Sequence, residues 1–126
     1  MQALMLVGAG GAAGAVARYL LGVQALRWFG PGWPSGTLIA NVLGGFLMGL
    51  LAGVLAYRGE GAETWRLLLG VGVLGGFTTF SAFSLEVALM IERRAFGQAV
   101  GYGLGSAVLS VSALFLGLML ARRVFA

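Results

Sequence analysis

Cysteine, histidine, lysine and aspartate are absent from this 126-residue chain, which also has only four glutamates and two prolines. Each absence removes a kind of chemistry. Without cysteine there is no disulfide and no thiol nucleophile, and without histidine there is no imidazole base or metal ligand. Four scattered glutamates do not make a carboxylate cage for a divalent metal. The chain is therefore not expected to be an enzyme. Its positive charge is all arginine, with a net charge of +4. Most of these arginines flank apolar runs, as they do at the ends of membrane spans, and there is no soluble basic domain to bind nucleic acid.

Apolar and small residues are abundant instead. Hydrophobic residues make up 60% of the chain, charged residues 10%, and glycine occupies 23 positions. With a mean hydropathy of +0.97, this is the profile of an integral membrane protein. The apolar content runs the full length, and no basic stretch with a cleavage site opens the chain, so the N-terminus is expected to be the first span rather than a removable signal. A helix needs about 20 apolar residues to cross the hydrocarbon core. Four stretches meet that length: Ala3 to Leu26, Leu38 to Tyr57, Leu67 to Ile91, and Phe96 to Ala121. The expected fold is an all-α, single four-helix transmembrane domain over residues 1–126, multi-pass in the inner (cytoplasmic) membrane and in contact with lipid.

With four spans, Arg58, Arg66, Arg122 and Arg123 share one side of the membrane and Arg27, Arg93 and Arg94 the other. Arginine imbalance sets orientation, and four against three is nearly no imbalance. Insertion both ways, and with it an antiparallel homodimer, is as open as a single orientation. Glycines recur at four-residue spacing: Gly45, Gly49 and Gly53 follow Asn41 on one ridge, Gly10 and Gly14 lead to Arg18 and Gly22, and Gly97, Gly101 and Gly105 mark the fourth span. That spacing predicts close helix packing. Four helices alone enclose little space, so an oligomer is the economical way to build a protected pore.

The segment Gly75 to Phe83, Gly-Gly-Phe-Thr-Thr-Phe-Ser-Ala-Phe, places glycines, hydroxyls and aromatic rings in mid-membrane. Gly75 and Gly76 loosen the chain, and Thr78, Thr79 and Ser81 can cap half-helices, so the third span is expected to break near its middle. Irregular backbone at that depth survives only inside protein or beside a watery cavity. The break would free carbonyls suited to a desolvated monovalent cation such as sodium. Phe80 and Phe83, three apart, share a helix face, and their positive ring edges can face a small anion.

Other polar groups lie within the spans. Arg18 either draws anions into a vestibule or snorkels. Asn41 either bridges helices or donates to an ion. Tyr102, Ser106 and Ser110 form a ladder on one face, although each serine can also bond the carbonyl one turn back. Glu86, the one carboxylate within a span, is either functional or paired with an arginine.

Three motifs carry a family resemblance: Gly-Ala-Val-Ala-Arg-Tyr (Gly14 to Tyr19), Gly-Thr-Leu-Ile-Ala-Asn-Val-Leu-Gly-Gly-Phe (Gly36 to Phe46), and the Gly75 to Phe83 segment. In order and spacing the chain resembles the small fluoride channels of the CrcB/Fluc family. The resemblance implies a dual-topology antiparallel homodimer with two pores, passive fluoride export, and a central structural sodium (Na+). It makes Asn41 a pore donor, Phe80 and Phe83 the rings flanking the fluoride, and Thr37, Tyr102, Ser106 and Ser110 a polar track with Ser81 among its hydroxyls. It also makes Glu86 an acid near a pore mouth, and assigns the sodium to the backbone carbonyls of Gly75 and Thr78. The rival is a small proton-coupled exporter with four spans and dual topology. Exporters of that type use a first-span carboxylate, where this chain has Arg18.

Overall fold

A computed structural model describes residues 1–125. Helix α1 spans Gln2–Phe29 and α2 spans Ser35–Leu55. Helix α3 covers residues 62–77, with a π-helical stretch at Arg66–Leu74 and a last α turn at Gly75–Phe77. Helices α4 (Phe80–Glu92) and α5 (Phe96–Phe125) follow. The membrane-length segments are Gln2–Phe29, Ser35–Leu55, Ala62–Glu92 and Phe96–Val124, so this is an all-α, multi-pass membrane protein. The ends shift by a few residues from the hydropathy limits because local chemistry sets them. Helix α1 runs past Leu26 and stops where Gly30 takes φ 77°, a conformation glycine adopts freely and proline at 31 cannot continue as helix. Helix α2 starts at Ser35, directly after Pro34. At 28 and 30 residues, α1 and α5 reach about 42 and 45 Å, longer than the ~30 Å hydrocarbon core, so they tilt or extend into the headgroups.

The third span breaks where expected, and the break is short. Thr78 (φ −87°, ψ 156°) and Thr79 (φ −151°, ψ 127°) are extended, and helix resumes at Phe80. Of the three hydroxyls able to cap, Thr79 does so, its Oγ1 accepting from Ala82 N–H at 3.2 Å. Thr78 Oγ1 instead donates back to the Leu74 carbonyl at 3.0 Å.

Glycine sets the packing. A β-carbon on Gly45, Gly49 or Gly53 would strike Ser110, Leu114 or Ala121 of α5, and one on Gly10 or Gly14 would strike the α3 backbone at Leu68 or Val73. Gly44 faces the methyl group of Thr78. Three glycines of the fourth span depart from expectation within the single chain: a β-carbon on Gly97, Gly101 or Gly105 would meet nothing within 4 Å, whereas one on Gly117 would strike the α2 backbone at Phe46. Four-residue spacing selects a helix face without deciding whether a helix lies against it. Here α5 meets α4 on a different face, where Met90, Ala99 and Tyr102 form a core with Leu38, Phe83 and Val87.

Candidate ion pathway

Two openings flank the break. The first is a vestibule of about 360 Å³ at the α1–α2 loop, lined by Arg18, Trp33, Ser35, Thr37, Glu86 and Arg93 among others. The second is a groove of about 410 Å³ lined by Asn41, Thr79, Phe80, Phe83, Ser106 and Ser110 together with apolar residues.

Asn41 governs the break. Its Oδ1 accepts from Thr79 N–H at 3.0 Å, and its Nδ2 donates to the Thr79 carbonyl at 3.2 Å. One amide therefore satisfies both main-chain groups of an extended residue at membrane depth, where an unmet group is costly. Of the two roles open to it, Asn41 takes the helix-bridging one with its oxygen and one N–H. A primary amide has a second N–H, and Asn41 lines the groove with it still to place.

This arrangement redirects helical donors. In an unbroken helix, Thr79 N–H would serve the carbonyl of Gly75 and Ala82 N–H that of Thr78. Here Asn41 Oδ1 takes the first and Thr79 Oγ1 the second. Gly75 and Thr78 are the two carbonyls singled out above for sodium.

Phe80 and Phe83 do share a face, with ring centroids 5.8 Å apart and planes at 42°, but their surroundings differ. Phe83 packs into the core beside Tyr102, while Phe80 is 79% exposed on the single chain. Ser81 Oγ lies 3.2 Å from Thr79 Oγ1. Ser106 is 5% exposed, and its Oγ is the buried side-chain oxygen without a hydrogen-bond partner among the described residues. It therefore does not take the carbonyl one turn back. Ser110 lies one turn further along the groove.

Glu86 lines the vestibule beside Thr37. Thr37 Oγ1 donates to its Oε2 and the Tyr102 hydroxyl to its Oε1, each at 3.1 Å. Among the described residues the one ion pair is Arg66 with Glu63, 2.6 Å apart at the start of α3. Arginine pairing is thus not what holds Glu86. Arg18 lines the same vestibule as Glu86 and forms no ion pair within 4 Å among the described residues.

The three motifs thus fold onto one break and its two openings. Residues 5–118 match the family described as CrcB-like protein, Camphor Resistance (CrcB). This chain belongs to the CrcB family. Among its CrcB relatives, a protein of Phenylobacterium zucineum (strain HLK1) named Fluoride-specific ion channel FluC is 82% identical over 100% of both chains. Proteins with the same name are 65% identical in Caulobacter vibrioides (strain NA1000 / CB15N), over 100% of both chains, and 49% identical in Agrobacterium fabrum (strain C58 / ATCC 33970), over 97% of this chain and 98% of the other. Three residues that line these openings were not singled out from the sequence as site residues. Thr79 was one of three neighbouring hydroxyls able to cap. Trp33 lies in a loop, where periodicity is silent. Arg93 read as an ordinary span-flanking charge.

Proposed function

We propose that this chain is a fluoride channel that lets fluoride leave the cell passively, through two pores of an antiparallel homodimer. The observation that carries this reading is the groove beside the break, where the buried, unpartnered Ser106 hydroxyl and two phenylalanine rings meet the open side of Asn41. Fluoride only accepts hydrogen bonds and sheds its water at great cost, so a route for it needs donors and positive edges in place of hydration. Ser106, Ser110 and the second Asn41 N–H are donors, and the edges of Phe80 and Phe83 add partial positive charge in a dry setting. A larger halide gains less from such a narrow fit. Upstream, Arg18 raises the local anion concentration in the vestibule.

The groove is open on one side and Phe80 is exposed; a second, inverted copy is the partner that would close the one and cover the other. Na+ fits the same scheme as a structural ion. Gly75 and Thr78 present carbonyls whose helical donors point elsewhere, and two subunits would offer two such pairs. Unwound backbone of this kind suits sodium. The ion would add fixed positive charge near the anion route and tie the subunits together.

Fluoride and chloride efflux from liposomes of purified protein, with no pH gradient, tests the function. A fluoride-selective leak supports it. Flux that requires a proton gradient would point to the exporter, with Glu86 as its coupling carboxylate, and equal chloride flux would remove the selectivity argument.

A further inference from the structure

The loop joining α1 to α2 is rigid. Pro31 and Pro34 fix two of its dihedrals, and Ser35 N–H donates to the Trp33 carbonyl at 2.8 Å, which holds Trp33 in place. Its indole meets Tyr102 edge-on, with centroids 5.3 Å apart and planes at 81°. Tyr102 in turn lies 5.3 Å from Phe83, and Phe83 5.8 Å from Phe80. Four rings therefore run without a gap from the vestibule to the groove. The first, Trp33, is 38% exposed, while Tyr102 behind it is 1% exposed.

We propose that Trp33 is a positioning residue of the permeation route, the wall that keeps Tyr102 dry and its hydroxyl aimed at Glu86. The Tyr102 oxygen lies on the axis of its ring, so χ1, the rotation about Cα–Cβ, decides where the hydroxyl sits. The covering indole restricts that torsion, and the hydroxyl then donates to Glu86 Oε1. Without the indole, vestibule water reaches the phenol, and the Tyr102–Glu86 hydrogen bond competes with water. This role rests on the channel reading and adds a loop residue to it.

The test combines flux with a chemical probe that does not depend on flux. In fluoride-loaded liposomes, Trp33→Ala and Trp33→Leu are expected to lower fluoride efflux by about 2- to 13-fold, the range an aromatic pair of this kind is worth. Trp33→Phe, which keeps a ring, is expected to stay within about twofold of the parent. In a Tyr102→Phe background, with no hydroxyl left to aim, adding Trp33→Ala is expected to cost less than about twofold, the limit of ordinary additivity. Nitration by tetranitromethane, read peptide by peptide in a mass spectrometer, is expected to spare Tyr102 in the parent and to reach it in Trp33→Ala. Parent-level flux in both Trp33→Ala and Trp33→Leu, or an undiminished loss in the Tyr102→Phe background, overturns the proposal. So does a Tyr102 that stays unmodified in Trp33→Ala. If Trp33→Ala does not fold, Trp33→Leu carries both measurements. A parent protein without fluoride flux would instead sink the channel reading, and the nitration result would still judge the position of Trp33.

Discussion

Replacing Asn41 by leucine keeps the side-chain volume nearly constant and removes both hydrogen bonds to Thr79. The cost follows from what is left behind. Thr79 is extended and its N–H has no helical carbonyl to turn to, so that group becomes unmet, at a cost of about 1–3 kcal/mol, whereas its carbonyl, as the N-cap carbonyl of α4, keeps its bond from the first helical turn. The predicted loss is about 1–3 kcal/mol, toward the lower end if groove water reaches Thr79. Unfolding in mixed detergent micelles measures this loss, and hydrogen exchange at the Thr79 amide measures the local part, since that N–H should lose its protection. Asn41→Asp separates the halves: the carboxylate can still accept from Thr79 N–H but opposes its carbonyl, and it puts a negative charge beside the anion route. It should be destabilised as well and nearly silent in planar-bilayer recordings. A stability change below about 0.5 kcal/mol in Asn41→Leu, the scatter of an ordinary surface substitution, with the Thr79 amide still slow to exchange, would refute the assignment of Asn41 as the holder of the break.

Four further outcomes follow. Gly49→Ala forces a methyl group onto the Leu114 backbone and should cost about 1–3 kcal/mol in thermal or detergent unfolding. Gly101→Ala has open space and should stay within about 0.5 kcal/mol of the parent, or rise slightly, because alanine is the better helix former. Phe80→Ile should leave the fold of the subunit itself unchanged, since that ring is exposed on the single chain, yet lower liposome fluoride flux by up to about tenfold through the lost ring edge; unchanged flux in both Phe80→Ile and Phe83→Ile would discard the rings. Arg18→Gln should reduce fluoride current by about two- to tenfold at low ionic strength and hardly at all near 1 M salt, because field focusing is screened; a salt-independent loss would make Arg18 a packing residue.

The four spans and the broken third one could be read from residue types because lipid imposes strict terms on backbone and length. Gly75 to Phe83 breaks those terms visibly. What Asn41 does could not be read, because an amide is equally suited to a helix, an ion or an extended chain, and only folding brings positions 41 and 79 together. The same limit separated Thr79 from Thr78 and Ser81 as the cap. Glycine spacing located the seam of α2 against α5 but misjudged Gly97, Gly101 and Gly105, since a smooth face reveals nothing about its neighbour. Glu86 was recognised as exceptional, whereas its two hydroxyl donors lie 49 and 16 residues away, beyond the reach of local pattern.

The break is latched to α2 twice within a single turn, by Asn41 on Thr79 and by Gly44 beneath the Thr78 methyl group. Main chain held at two such points cannot swing without giving up polar bonds and close contact at once, so slow backbone rearrangement is an unsuitable shutter. Only rotamers and ring tilts are left to accommodate a passing ion, and those relax in picoseconds to nanoseconds. If the chain conducts as proposed, a cell carrying it would own a drain with no tap.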